Sequence, residues 1–235
     1  MEDEKLEDCK IYNKPSPRIW CLEGCHGTGK TTLGESIQDD PRFIWIPEGF
    51  LELLKAYHFF ELTSPLMKEQ TLGACEEIYS RRWFERVKAA IEVARNPNNP
   101  GYIIIIDRSV FTQTMYPRGT VPDAYVSALI FNNLCSWNSI TRKHDEEIAY
   151  DPKIRIYNLF GVPTAILRIV PPTSEAEDEI YERVRKRNSE GHGELSEESP
   201  THFMKIINKY KRLDVGNMVP TWEFAKLVIM EHSNK

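Results

Sequence analysis

The chain has 235 residues, room for one large α/β domain or two small ones around a continuous apolar core. Its 30 Lys and Arg against 35 Asp and Glu leave a net charge of −5, so no global positive field exists to hold nucleic acid nonspecifically. Hydrophobic residues at 41% and charged residues at 28% are ordinary globular usage, which excludes a disordered or fibrous chain, and apolar runs such as 103–106 fall far short of the roughly 20 residues of a membrane helix.

Taken in chain order, residues 1–17 are acidic at the start and carry Pro15 and Pro17, and they read as a poorly ordered N-terminal extension. They contain neither an apolar signal core nor an Arg-rich transit pattern, and the five cysteines lack metal-ligand spacing. The expectation is reduced thiols in a cytoplasmic, reducing compartment. Residues 18–235 follow as a single domain with no internal repeat. Short, almost continuously apolar runs at 18–23, 43–47, 102–107, 163–170 and 225–230 predict strands buried on both faces. Amphipathic stretches at 30–38, 50–60, 66–95, 122–140, 174–188 and 200–213 predict helices between them. The Pro, Asn and Gly residues of 96–101 end the long helix. The pattern is α/β, with a five-stranded parallel sheet flanked by helices.

Gly24-Cys25-His26-Gly27-Thr28-Gly29-Lys30-Thr31 fits G-x-x-x-x-G-K-[ST] and lies between the first strand and the first helix. Such a loop turns its amides inward, offers a helix N-terminus, adds the Lys30 charge and presents the Thr31 hydroxyl to magnesium. The candidate ATP-binding set in the loop is therefore Gly24, Cys25, His26, Gly27, Thr28, Gly29, Lys30, Thr31 and Thr32, with Lys30 expected to be exposed, and Arg183 and Arg187 join it from farther along the chain. A Gly-rich turn without a ligand is the alternative.

Two strand runs end in carboxylates. Glu48 follows the second, and Asp107-Arg108-Ser109 closes the third, at the sheet edge where open α/β folds gather ligands. Beside a phosphate loop, Asp107 is a candidate magnesium ligand with Thr31, Arg108 offsets charge on a transferring phosphoryl group, and Glu48 accepts the proton of an attacking hydroxyl. The plain alternatives are a local ion pair that finishes the strand and an exposed strand-end acid. Further on, Arg183 and Arg187 stand four apart on one helix face, either as a solvated basic face paired with nearby acids or as an arginine-bearing lid over about 183–199. Trp45, Tyr57, Phe59, Phe60, Tyr79, Trp83 and Phe84 either line a base-stacking pocket or belong to the core.

With these residues in order, the chain resembles the deoxynucleoside kinases of the thymidine kinase 2 and deoxycytidine kinase type, and less closely the thymidylate kinases. The resemblance spans most of 18–213: Leu22-Glu23-Gly24 leading into the loop, Glu48 after the second strand, Asp107-Arg108-Ser109 where the family commonly has Glu-Arg-Ser, and the run from Tyr181 to Arg187 in the lid position. It implies a P-loop NTPase-type three-layer fold with a helical lid, usually in a homodimer. It implies Glu48, Arg108, Lys30, Arg183 and Arg187 as catalytic residues, and Glu48, Tyr57, Trp83, Phe84, Glu85 and Arg108 around the acceptor. Glu85 stands where the family has a base-reading Gln, Ser189 stands at a further arginine position, and residues 191–196 look like an insertion. The implied reaction is magnesium-dependent transfer of the γ-phosphoryl group of ATP to the 5′-hydroxyl of a deoxynucleoside, with no nucleic acid or membrane partner. A thymidylate or other deoxynucleoside monophosphate kinase is the alternative, and a non-catalytic nucleotide-binding protein is a third class.

Overall fold

The computed structural model of the chain describes residues 16–96, 102–109, 112, 154, 156–159, 162–190, 199–213 and 215–233. In order these form β1 (Ile19–Glu23), α1 (Lys30–Glu35), β2 (Phe43–Ile46), α2 (Phe50–Ala56), α3 (Pro65–Arg95), β3 (Ile103–Asp107), β4 (Ile156–Leu159), β5 (Val162–Ile169), α4 (Ser174–Ser189), α5 (Pro200–Arg212), β6 (Asn217–Val219) and α6 (Trp222–Ser233). Five strands run parallel in the order β2-β3-β1-β5-β6. β4 adds an antiparallel strand along Val162–Ala165, while β6 pairs farther along β5, at Leu167–Ile169.

Because successive side chains of a strand point to opposite faces, the all-apolar runs supply two cores at once. Ile19, Cys21, Ile104 and Ile106 face Leu53 and Leu54 of α2 and the inner face of α3. Trp20, Leu22, Ile103 and Ile105 face Leu33 of α1 and Ala225, Val228 and Ile229 of α6. The result is a helix–sheet–helix α/β fold with β1 at its centre. α3 buries Leu72, Cys75, Tyr79, Trp83, Val87, Ala90 and Ile91, the three- and four-residue spacing of one helical stripe. Its start is set by Pro65 in the first turn and by Ser64, whose hydroxyl accepts from the Met67 amide at 3.5 Å. Among the described residues no helix is long and apolar enough to cross a membrane.

Four expectations need correction. The apolar run 225–230 belongs to α6 and is not a strand. Its buried residues Ala225, Val228 and Ile229 follow helical spacing, Leu227 is exposed, and Thr221 accepts the Phe224 amide at 3.2 Å as a cap. The fifth parallel strand is the three-residue β6, ended by Pro220 and too short to carry a pattern. β4 has no counterpart among the predicted strands. The stretch 50–60 breaks into α2 and a single 3-10 turn at Phe59–Glu61, with His58 between them at φ 53°. The predicted helix 122–140 and residues 1–15 of the extension lie outside the described residues. Thr221→Ala is expected to cost about 1 kcal/mol of stability, read as a lowered thermal midpoint with activity retained.

Candidate active site

Beyond the carboxyl end of β1 the chain turns through Gly24–Lys30 into α1. Gly24 at φ +145° and Gly29 at φ +84° hold backbone that L side chains rarely adopt. Space closes the case for glycine: a Cβ on Gly24 would lie 2.6 Å from the Ile169 carbonyl oxygen, and one on Gly29 would lie 2.3 Å from the Trp222 ring. Thr28 donates its hydroxyl to the Cys25 carbonyl at 2.9 Å. Lys30 is not exposed as expected: it is buried, and its Nζ donates to the carbonyls of Gly24 at 3.0 Å and Cys25 at 2.9 Å. Burial lowers its pKa, Arg108 adds to that, and the carboxylates of Asp107 and Glu48 oppose both. Cys25 is buried, His26 is partly so, and Thr31 and Thr32 are exposed.

The end of β3 carries the next part of the site. Asp107 is buried, its Oδ2 accepts from the Thr31 hydroxyl at 3.1 Å, and its Oδ1 has no partner among the described residues. Burial raises its pKa, with Glu48 adding to the rise and Lys30 and Arg108 resisting it. A carboxylate oxygen left unpaired beside a hydroxyl is a donor set for a hard divalent cation that takes its remaining ligands from phosphates and water. Thr31 and Asp107 therefore fit magnesium.

Arg108 sits at φ 77° with 1% of its surface exposed, a left-handed backbone unusual for arginine. It is held there by its amide on the Leu22 carbonyl at 2.9 Å and by the Trp83 indole, which donates to its carbonyl at 3.3 Å. Its Nε donates to Glu48 Oε1 at 3.2 Å, and the Glu48 side chain keeps 27% exposure. Burial would raise the Glu48 pKa, but the charges of Arg108, His26 and Lys30 and the hydrogen bond from Arg108 outweigh it, so the carboxylate titrates below its ordinary value. Arg86 of α3 closes this corner by donating to the carbonyls of Pro47 and, at 2.8 Å, Glu48.

Behind Arg108 lies a buried network that the sequence reading did not assign. Glu23, with no exposed surface, accepts from the amide and hydroxyl of Ser109, from Thr112 Oγ1 at 3.0 Å, and from the Tyr210 hydroxyl at 3.1 Å. The Tyr210 hydroxyl in turn accepts from Arg108 Nη1 at 3.1 Å. A carboxylate inside a fully buried strand was the available signal for Glu23. Nothing local marks Tyr210.

The remaining predicted residues divide. Arg187 reaches the loop and donates from Nη2 to His26 Nδ1 at 3.1 Å. Arg183 pairs at 3.5 Å with Glu179, both well exposed. Trp83 is buried under Arg108, and Tyr57 is 46% exposed at the end of α2. Glu85 lies on the exposed side of α3, while its neighbour Arg86 turns to Glu48. The Phe84 side chain, and residues 191–198 of the proposed lid, lie outside the described residues.

A glycine-lined strand–loop–helix turn at the centre of a parallel sheet, with lysine, hydroxyl and carboxylate converging on it, defines a P-loop protein of helix–sheet–helix α/β fold. No protein family and no curated protein matches the chain. Among solved structures it is similar to a chain of the Pnkp1/Rnl/Hen1 RNA repair complex, at 13% identity and a TM-score of 0.43 over 91% of this chain and 51% of that one, so it spans about half that chain's length. It is also similar to deoxyadenosine kinase from M. mycoides with bound dATP, at 14% identity and a TM-score of 0.41 over 92% of this chain and 99% of that one. At such identities the fold rests on strand order and loop geometry.

Proposed function

We propose that the chain is a magnesium-dependent kinase that transfers the γ-phosphoryl group of ATP to the 5′-hydroxyl of a deoxynucleoside. The observation that carries it is Glu48, a partly exposed carboxylate held ionised by Arg108 at 3.2 Å beside the phosphate loop. An attacking hydroxyl has a proton to lose, and this carboxylate is free to take it. In the proposed reaction the loop amides and Lys30 hold the phosphates, Glu48 removes the proton, and the freed oxygen attacks the γ-phosphorus as ADP leaves. Arg108 and Arg187 stabilise the charge that spreads over the transferring group. Magnesium, held by Thr31 and Asp107, would neutralise charge on the β- and γ-phosphates.

One observation favours a monophosphate acceptor as the second reading. Arg86 and Arg108 both border Glu48, and two guanidinium groups there suit an acceptor that carries its own anion. Incubation with labelled ATP and a panel of nucleosides and monophosphates separates the two by product. Monophosphate products from nucleosides are expected. Diphosphate products alone would transfer the assignment to the second reading, and no product from either panel would leave a nucleotide-binding protein.

The geometry also ranks the arginines. Arg187→Ala is expected to lower kcat about 10²-fold, as for removal of one charge-stabilising donor, whereas Arg183→Ala, which among the described residues breaks an exposed pair with Glu179, should leave kcat nearly unchanged. Equal losses in steady-state assays would contradict this division. Glu85→Gln is expected to leave the ranking of nucleosides by kcat/KM unchanged, because the side chain is exposed on α3.

A further inference from the structure

We propose that Tyr210 is a positioning residue for phosphoryl transfer, its hydroxyl locking the Arg108 guanidinium against Glu48 and tying that pose to the seating of α4 and α5 on the phosphate loop. The inference rests on the kinase reading and deepens it.

The direction of the hydrogen bonds is determined. Arg108 Nη1 can only donate, so the Tyr210 oxygen, 3.1 Å away, accepts from it and gives its single proton to Glu23 Oε2, also at 3.1 Å. Glu23 is itself pinned by Ser109 and Thr112, so the phenol hydroxyl bridges a fixed buried anion and a buried cation. The guanidinium is one rigid plane: Nη1 binds Tyr210 and the Gly24 carbonyl, and Nε binds Glu48. A rotation that releases Tyr210 therefore shifts Nε against the carboxylate. The two ends of the plane cannot be set independently.

The tyrosine ring connects this lock to two helices. It packs in one apolar cluster with Cys25 of the loop, Ile180 and Val184 of α4, and Phe203, Ile206 and Ile207 of α5. Its carbonyl accepts from Arg168 Nη1 at 2.6 Å. α4 rests directly on the loop, since a Cβ on Gly27 would meet Val184 at 3.0 Å and Ile180 at 3.1 Å, and it carries Arg187 to His26. Displacement of α4 or α5 is thus felt at Arg108, on the acceptor side of the site, through Tyr210.

Tyr210→Phe keeps the ring in the cluster and removes only the bridging oxygen. In the full-length protein it is expected to lower kcat about 10- to 100-fold, the scale of a small misplacement of a reacting group, with the KM for ATP unchanged. In an Arg108→Met background the same substitution should add almost nothing, because its effect runs through the guanidinium. A merely structural role would instead multiply the two losses. A Tyr210→Phe rate within about twofold of wild type, or an equal loss in the presence and absence of Arg108, would overturn the inference. If Tyr210→Phe does not fold, Glu23→Gln weakens the same bridge from its other end and carries the test with the same two outcomes. Wild-type turnover is measured first on both acceptor panels: transfer to neither removes the kinase reading and this inference with it, whereas transfer to either leaves the ratio of variant to wild type to decide the role of Tyr210.

Discussion

Lys30→Ala is expected to reduce phosphoryl transfer by about 10³-fold or more while the sheet persists, since one preorganised donor at a developing charge is commonly worth 10² to 10³ and Lys30 also shapes its own loop. Its Nζ sits on the carbonyls of Gly24 and Cys25, at the centre of the turn, so truncation removes both the cation meant for the phosphates and a tie across the loop. The strands do not depend on it. β1, β3 and β5 are held by one another and by two apolar cores in which Lys30 takes no part. Near-wild-type circular dichroism, a raised KM for ATP and a collapse of kcat/KM are the expected set. More than half of wild-type activity in a folded variant would refute the assignment of the loop.

What could be read from the sequence depended on how local the physics was. Residues Gly24–Lys30 were legible because a phosphate loop needs glycine where backbone and neighbours leave no room for a side chain, and those constraints lie within a few residues of one another. Glu48 and Asp107-Arg108 were legible because each puts a charge at the carboxyl end of an apolar run, where an open α/β sheet gathers ligands. Tyr210 was not, since it meets Arg108 from 102 residues away and carries no local mark. Around Glu85 the helix itself divides the residues: adjacent positions are turned about 100° apart, so Glu85 is exposed while Arg86 reaches the Glu48 carbonyl. Arg183 and Arg187 share a face as their spacing predicts, but four residues advance about 6 Å along the axis, and only the second arrives at His26. The run 225–230 misled because its β-branched residues suit a strand, while the cap at Thr221 and the core spacing of Ala225, Val228 and Ile229 require a helix.

Glu48→Gln is expected to lower kcat for deoxynucleosides by about 10²- to 10⁴-fold, the usual contribution of a positioned base, with the KM for ATP nearly unchanged. The amide keeps the shape and can still accept from Arg108 Nε, so the corner formed by Pro47, Glu48 and Arg86 should survive and the loss should fall on chemistry rather than on folding. The pH dependence follows from the sign of the shift. Burial would raise the Glu48 pKa, but Arg108, His26 and Lys30 bring it below its ordinary value of 4.5, so the base is ionised throughout the neutral range and the acid limb of kcat/KM should lie below that value. The same depression means that the interaction with Arg108 contributes stability above the unfolded pKa and loses it as pH falls through the folded one. In Glu48→Gln that limb should disappear along with the rate. A monophosphate acceptor presents an oxygen that is already ionised, so with such substrates the substitution should act only through positioning and leave most of the rate in place. Retention of most nucleoside kinase activity by a folded Glu48→Gln would remove Glu48 as the base and favour the monophosphate reading.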